Sequence, residues 1–335
     1  MENLLEVRNL RKDFQTKKGL LQAVNDISFN VRKGETLGIV GESGCGKSTT
    51  GRAVLRLVEP TGGEVRFEGQ NILGYSSRKM REARKDMQII FQDPFASLNP
   101  RMSISQIIAE PFDVYRMYNP SERAQRVQEL MRTVGLSNKL VNSFPHELDG
   151  GRRQRVGVAR ALALSPKFIV CDEPVSALDV SIQAQILNLI QDLQQKLDLT
   201  YVFISHDLSV VKHISNRVAV MYLGKFVELT TSRQIFANPL HPYTQALLSA
   251  IPIPKVNVEK RQRVILEGDV PSPVNPPAGC IFSGRCPYVM PRCREAPPPV
   301  VEAEPDHFVS CYLVSDKMPP HVPATAHSAG DSSPT

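Results

Sequence analysis

The stretch Gly41-Glu42-Ser43-Gly44-Cys45-Gly46-Lys47-Ser48 decides the fold. It matches the pattern G-x-x-x-x-G-K-S and follows an apolar run, Thr36 to Val40, that predicts a buried strand. A helix is predicted over Lys47 to Leu57. In that context the glycines let consecutive backbone N–H groups surround an anion, and the helix N-terminus adds partial positive charge. The pattern therefore predicts a phosphate-binding loop, in which Lys47 faces the β- and γ-phosphates and Ser48 holds Mg²⁺.

Outward from this loop, strand-like and helix-like segments alternate through roughly the first two thirds of the chain. Buried strands are predicted at Met87 to Phe91, Phe168 to Cys171 and Thr200 to Ser205, and a helix at Ile182 to Leu197. This alternation predicts an α/β fold with parallel strands. Two other segments, LQAVNDISFNV and EVRFEG, alternate polar and apolar residues and predict an added antiparallel sheet.

Composition indicates a globular protein with a sizeable core. The chain has 335 residues, of which 41% are hydrophobic and 22% charged. We expect a cytoplasmic protein, because no apolar run is long enough to span a bilayer and the N-terminus lacks a secretory signal. The net charge of +6 is compatible with nucleic acid or an anionic membrane surface as a partner. Lys and Arg are interspersed with Asp and Glu, which favours a solvated surface.

Polar side chains follow the predicted strands. Asp172 and Glu173 end one strand, where Asp172 is placed to orient Mg²⁺ and Glu173 to polarise the attacking water. Two adjacent carboxylates at a buried strand end are costly without a cation, although a turn with solvated acids is the simpler alternative. Gln92 and His206 follow two other strands and are placed to join the metal, the water and the γ-phosphate.

Together these residues resemble the nucleotide-binding domain of ABC transporters, over roughly residues 4 to 230. The resemblance implies a P-loop NTPase fold with an antiparallel β subdomain and a helical signature subdomain, and ATP and Mg²⁺ as cofactors. It implies these nucleotide contacts on the chain itself: Phe14 stacked on adenine, then Gly41, Ser43, Gly44, Cys45, Gly46, Lys47, Ser48 and Thr49. It implies Mg²⁺ at Ser48, Gln92 and Asp172, and catalysis by Glu173, His206 and Gln92. Asp179 closes the implied dimer-contact loop that begins at Ser176.

The family signature, L-S-G-G-Q at a helix start, reads Leu148-Asp149-Gly150-Gly151-Arg152 here. In the family this segment contacts the ATP held by the other subunit, so Asp149, Gly150 and Gly151 are implied nucleotide contacts. Asp149 places an anion where the family has a hydroxyl. Either Asp149 is a tolerated N-cap with Arg152 as an added phosphate contact, or the site across this signature hydrolyses slowly in an asymmetric heterodimer. On the second interpretation, Asp149→Ser would raise the ATPase activity of the complex.

Two further segments indicate which subfamily of ABC transporter ATPases the chain resembles. Asn238 to Thr244, NPLHPYT, and Phe91 to Pro100, FQDPFASLNP, resemble ATPases that serve oligopeptide, dipeptide and nickel importers. The resemblance implies an ATPase that drives peptide import, with a nickel importer as the alternative, and contact between the second segment and the membrane subunits. A soluble ABC ATPase acting on nucleic acid is a weaker alternative, because such relatives usually carry two nucleotide domains or long coiled-coil insertions. A regulator without hydrolysis would not need Glu173 and His206.

The implied partners are two integral membrane permease subunits, a second ATPase that is identical or homologous, and, indirectly, an extracytoplasmic substrate-binding protein, but no nucleic acid. The implied location is the cytoplasmic face of the cell membrane. We expect the nucleotide-binding domain at 1–235, a C-terminal extension at 236–317 and a disordered tail at 318–335. Sixteen of the 26 prolines lie from Pro252 onward, which predicts no long helix or central strand there.

Four cysteines cluster in the extension: Cys280, Cys286, Cys293 and Cys311. A reducing cytosol argues against disulfides. The 5, 6 and 17 intervening residues are wider than the usual pairs of a zinc site. They resemble the spacing in importer ATPases that hold a 4Fe–4S cluster, which is the implied cofactor, with zinc or uncoordinated thiols as alternatives. Arg285, Arg292 and Arg294 are expected to offset the thiolate charge.

Overall fold

A computed structural model describes residues 2–251, 266, 268 and 271–317. The described strands are β1 Asn3–Thr16, β2 Gly19–Arg32, β3 Thr36–Val40, β4 Gly62–Phe67, β5 Gln70–Asn71, β6 Met87–Ile90, β7 Phe168–Asp172, β8 Thr200–Ser205, β9 Arg217–Tyr222, β10 Lys225–Thr231, β11 Val300–Glu304 and β12 His307–Ser310. The described helices are α1 Lys47–Val54, α2 Ser77–Asp86, α3 Ile104–Tyr115, α4 Pro120–Thr133, α5 Gly150–Leu162, α6 Val180–Leu197, α7 Leu208–Ile214, α8 Ser232–Ala237, α9 Pro242–Ser249, α10 Arg292–Glu295 and α11 Tyr312–Ser315.

The strands form two sheets. The smaller sheet has the order β2-β1-β4-β5, and its strands pair antiparallel, as the two alternating segments predict. The larger sheet has the order β11-β12-β10-β9-β3-β8-β7-β6. Its strands from β9 to β6 are parallel, as predicted, but β10, β12 and β11 continue it in antiparallel pairing. The larger sheet is therefore mixed.

Alternate residues of the parallel strands pack into two separate apolar cores. In β7, Phe168 and Val170 pack into one apolar cluster, and Ile169 and Cys171 pack into another. Successive side chains of a strand point to opposite faces, so the two clusters lie on the two sides of the larger sheet. The first contains residues of the antiparallel sheet and α1, and the second contains residues of helices α3 to α7. Burial on both faces explains why these strands are continuously apolar.

The proline-rich segment contributes only short elements. The helices α10 and α11 have four residues each and β11 is the edge strand of the larger sheet, as the proline content predicts, but β12 is paired on both sides, with β11 and β10. Through β12, the segment pairs directly with β10. Among the described residues, no helix combines the length and the apolar character needed to cross a bilayer. The tail predicted at 318–335 lies outside the described residues.

Candidate nucleotide site

The loop between β3 and α1 is drawn tightly around the Lys47 side chain. A Cβ on Gly46, whose φ is +106°, would lie 2.0 Å from the carbonyl oxygen of Ala23. One on Gly41 would lie 2.1 Å from that of Met221. Only glycine fits at both positions, because backbone carbonyls of neighbouring segments occupy the space of a side chain. This close approach explains why the motif has glycine at positions 41 and 46. The Lys47 Nζ donates to the carbonyls of Gly41 and Glu42 at 2.8 and 2.9 Å. The ammonium is buried and held over the loop.

Asp172 lies beside the start of α1. The Ser48 hydroxyl donates to Asp172 Oδ1 at 2.6 Å, and Arg52 lies 3.4 Å from Oδ2. Asp172 ends β7, the strand next to the β6 edge of the larger sheet, and is fully buried. Because the C-terminal ends of parallel strands meet at one edge of a sheet, an acid at the end of β7 reaches the loop that follows β3. The pair of oxygen ligands predicted for Mg²⁺ is thus brought together.

The carboxylate of Glu173 lies close to the other polar side chains predicted for the site. Its Oε2 accepts from Gln92 Nε2 at 3.0 Å and lies 3.2 Å from His206 Nδ1, while its Oε1 lies 4.0 Å from Lys47 Nζ. Gln92 and His206 follow β6 and β8, the strands on either side of β7. Glu173 itself adopts a φ of +47°, a left-handed conformation at the strand end. Four predicted residues therefore meet at one point.

These groups face a single cleft of about 870 Å³. Ten predicted residues line it: Phe14, Ser43, Gly44, Gly46, Lys47, Ser48, Thr49, Gln92, Glu173 and His206. Six lining residues were not among the predicted nucleotide contacts: Leu21, Ala23, Asp93, Ser176, Ala177 and Pro273. Pro273 enters from the C-terminal extension, where its carbonyl accepts from the Gln22 N–H at 3.2 Å. No motif marks Pro273, because its place depends on pairing with β2.

Two predicted contacts on the chain itself, Gly41 and Cys45, are not among the residues that line this cleft. Phe14 lies at the rim of the cleft, 36% exposed, with Lys12 Nζ 4.7 Å from its ring centroid. Cys45 is buried, and burial raises the pKa of its thiol even though Lys47 is close by. An inert thiol fits its place as an ordinary position of the motif.

The signature residues Asp149, Gly150 and Gly151, together with Asp179, do not line this cleft. Asp149 is the N-cap of α5, where its Oδ1 accepts from the Arg152 N–H at 2.7 Å and its Oδ2 lies 3.3 Å from Arg152 Nε. The N-cap that the sequence suggested for Asp149 is therefore present, and its carboxylate is paired with Arg152. Asp179 precedes α6, whose first residue, Val180, is 82% exposed.

The four clustered cysteines line one small cavity, of about 10 Å³. Burial raises the pKa of the Cys311 thiol to about 11 and also raises the pKa of Cys280 and Cys286. Among the described residues, however, no group of three or more His, Cys, Asp or Glu side chains is arranged to hold a metal ion. The geometry therefore does not support the predicted 4Fe–4S site at Cys280, Cys286, Cys293 and Cys311.

The arginines expected to neutralise the thiolates are engaged elsewhere. Arg285 forms an ion pair with Glu42 of the phosphate loop at 2.7 Å, and Arg292 forms one with Asp316. Arg294 is exposed. Arg285 and Arg292 thus each have a carboxylate partner that sequence proximity does not reveal, and Arg292 is also close enough to Cys293 for an electrostatic interaction.

Comparison with known proteins agrees with this geometry. Residues 24–176 match the family described as ABC transporter, and residues 227–293 match the oligopeptide/dipeptide transporter C-terminal region. The oligopeptide transport ATP-binding protein AppF of Bacillus subtilis is 55% identical over 323 residues, covering 94% of this chain and 98% of that protein. The oligopeptide transport ATP-binding protein OppF of Salmonella typhimurium is 52% identical over 325 residues, covering 93% and 96%.

A solved structure gives the same fold. An ATP-binding cassette captured as a dimer in a post-hydrolysis state with ADP and Pi superposes with a TM-score of 0.63 at 27% identity, covering 68% of this chain and 99% of that one. The superposition takes in nearly all of that cassette but only part of this chain, so this chain has residues beyond the cassette fold. The chain therefore belongs to the ABC transporter family of ATP-hydrolysing cassettes, in the branch that carries the oligopeptide/dipeptide transporter C-terminal region.

Proposed function

We propose that this chain is the ATP-hydrolysing subunit of an importer for oligopeptides or dipeptides, and that Mg-ATP binds in the cleft beside the phosphate loop. The observation that carries the proposal is the convergence of Lys47, the Ser48–Asp172 pair and Glu173 on one cleft. A cation, two oxygen ligands and a carboxylate base are the groups that phosphoryl transfer to water requires.

The donor set fits Mg²⁺. The ion prefers oxygen ligands and usually binds through one or two carboxylates plus phosphates and water, so a set of three protein acids is not needed. Ser48 and Asp172, with Gln92 nearby, would hold it. When bound, Mg²⁺ neutralises charge on the β- and γ-phosphates. The backbone N–H groups of Gly44, Gly46 and Thr49 would face the phosphates around Lys47.

Hydrolysis then follows from the placement of Glu173. Its carboxylate polarises a water whose oxygen attacks the γ-phosphorus, while the bond from that phosphorus to the ADP oxygen breaks. His206 and Gln92 contact the same carboxylate oxygen and hold it in position. Phe14 and Pro273 also line the cleft and would flank the adenine.

We propose that the chain works as one of a pair. The signature at Asp149, Gly150 and Gly151 lies outside the chain's own cleft, as does Asp179, so these residues are free to meet the nucleotide of a second ATPase subunit. The partner's signature would in turn close this cleft. We further propose two integral membrane permease subunits as partners and the cytoplasmic face of the membrane as the location. An extracytoplasmic binding protein would supply the cargo.

The peptide cargo is favoured by the relatives, which are named for oligopeptide transport and match over nearly the whole chain. The test is reconstitution of the complete complex in proteoliposomes, with ATPase activity and uptake measured for labelled oligopeptides, dipeptides and nickel in parallel. We expect ATP-dependent peptide uptake that Lys47→Ala abolishes. Nickel uptake without peptide uptake would contradict the cargo and leave the ATPase intact.

We also propose that the four cysteines hold an iron–sulfur cluster. The four thiols line one cavity, which favours a cluster, whereas no group of three or more His, Cys, Asp or Glu side chains among the described residues is arranged to hold a metal ion, which argues against it. The decisive experiment is anaerobic purification from a host able to build clusters, with iron and acid-labile sulfide determined on the full chain. A colourless, iron-free protein would contradict the cluster.

A further inference from the structure

An arginine of the C-terminal extension reaches the phosphate loop. Arg285 Nη1 lies 2.7 Å from Glu42 Oε2, and Nη2 lies 3.1 Å from Glu42 Oε1, which is a bidentate pair. The Arg285 side chain is only 9% exposed. Such pairs are both stronger and more restrictive in geometry than single charge-assisted hydrogen bonds. Glu42 is therefore fixed from outside the nucleotide-binding fold.

A second contact holds the same residue through its backbone. The Glu42 N–H donates to the Tyr243 hydroxyl at 3.0 Å. The Tyr243 ring packs against Tyr222 of β9 and Phe282, with centroid separations of 4.7 and 5.5 Å. Phe282 stands three residues before Arg285, so the arginine is anchored on a packed aromatic cluster rather than on a loose loop.

The pair matters because of where Glu42 lies. The Glu42 carbonyl accepts from Lys47 Nζ at 2.9 Å, so the backbone position of Glu42 sets the place of the ammonium. Its carboxylate is an anion within the loop that receives a triphosphate. In the observed arrangement Arg285 neutralises that anion and holds it, and Glu42 does not line the cleft. Released, the carboxylate would repel the phosphates.

We propose that Arg285 is a positioning residue for nucleotide binding: from the C-terminal extension it holds Glu42 away from the phosphates and so keeps the loop ready for Mg-ATP. The inference rests on the nucleotide site described above, and it does not depend on the cargo. It also gives the extension a part in the ATPase cycle that is separate from its cysteines.

The test is the affinity of the purified full-length chain for Mg-ATP, measured by titration calorimetry. We expect Arg285→Gln to weaken binding by about 10-fold, since a charge-assisted pair is lost and an anion is released. Arg285→Lys, which keeps the charge but not the bidentate geometry, is expected to lie between Arg285→Gln and the unmodified chain. Arg294→Gln, an exposed arginine of the same segment, is the matched control and should bind as the unmodified chain does.

The discriminating variant combines Arg285→Gln with Glu42→Gln. If the arginine acts by restraining a negative charge, removing that charge restores most of the affinity, a recovery that simple loss of packing would not give. In the assembled complex, Arg285→Gln should raise KM for ATP with kcat nearly unchanged. Unchanged affinity in Arg285→Gln, or a double variant as weak as Arg285→Gln, would overturn the proposal. Absence of Mg-ATP binding in the unmodified chain would instead refute the nucleotide site itself.

Discussion

At the scale of single residues, three side chains are directed at the carboxylate of Glu173, the base in the proposed hydrolysis. We expect Glu173→Gln to lower ATP turnover by about 100-fold or more, since an amide cannot act as a base. Mg-ATP affinity should survive, because Gln92, His206 and Lys47 remain in place. Steady-state phosphate release and nucleotide titration on the assembled complex measure the two effects. Glu64→Gln, a change at a half-buried acid on β4 away from the cleft, is the control.

Persistent ATP turnover in Glu173→Gln would contradict this prediction. A residual rate near that of the unmodified complex would mean that the water is positioned by His206 or by the partner subunit, and that the Glu173 contacts are structural. A parallel loss of Mg-ATP affinity would instead mean that Glu173 contributes to nucleotide binding.

Asp149 is the second residue to test, because the sequence left two interpretations of it: a tolerated N-cap or a slowly hydrolysing site. Its carboxylate already accepts from the Arg152 N–H and pairs with the Arg152 side chain, so the structure favours the tolerated N-cap. We expect Asp149→Ser to leave the turnover of the complex unchanged within about 2-fold, because serine caps equally well, and Asp149→Ala to destabilise the chain by about 1 kcal/mol. Phosphate release and chemical denaturation measure these effects. A clear rise in turnover with serine would favour the asymmetric, slowly hydrolysing site.

The two kinds of residue in the site differ in how far sequence reveals them. Lys47, Asp172 and His206 each follow an apolar strand, and parallel strand ends meet at one edge, so order along the chain implies proximity in space. Arg285 contacts Glu42 across 243 positions, and no spacing rule connects them. Its contact depends on how the extension packs against Tyr222 and Tyr243. A tertiary contact of that kind leaves no local pattern to read.

At the scale of secondary-structure elements, apolar runs located the strands almost to the residue, because burial on both faces leaves little choice of side chain. Thr200–Ser205 is observed as predicted. The helix predicted to Leu57 ends at Val54, since Arg56 takes a positive φ and the chain turns there. The antiparallel continuation through β10 and β12 was not foreseen. Direction of pairing is set by tertiary contacts that short strands do not encode.

One buried acid ties the extension to the cassette. Glu228 of β10 is 1% exposed; it accepts from His307 Nε2 of β12 at 2.7 Å and from the N–H groups of Leu240 and His241 at 2.8 and 3.0 Å. We expect Glu228→Ala to lower the free energy of unfolding by about 3 to 5 kcal/mol, because it leaves buried donors unpaired. Glu228→Gln keeps an acceptor and should cost less.

Urea denaturation followed by circular dichroism measures these effects, with Glu64→Gln as the matched control. Glu64 forms a partly exposed ion pair with Arg66, and removing it should change the unfolding free energy by less than about 1 kcal/mol. A Glu228→Ala variant as stable as the control would mean that the β10–β12 pairing does not depend on this acid.

At the scale of the whole molecule, the two edges of the larger sheet differ in what they present. The β11 edge belongs to the extension, while the β6 edge leads into the segment from Phe91 to Pro100 that resemblance assigns to the membrane subunits. Phe95 in that segment is 55% exposed, and Arg153 lies 5.0 Å from its ring centroid. An exposed aromatic beside an arginine has the composition of a binding hot spot.

We therefore expect Phe95→Ser to weaken co-purification with the permease subunits by about 10-fold or more, the usual effect of removing an interface anchor. Mg-ATP affinity of the isolated chain should not change, since Phe95 does not line the nucleotide cleft. Val300→Ser is the control, because Val300 is 46% exposed on the opposite edge strand β11. Equal loss of assembly in both variants would indicate general destabilisation, and no loss in Phe95→Ser would remove this edge from the membrane interface.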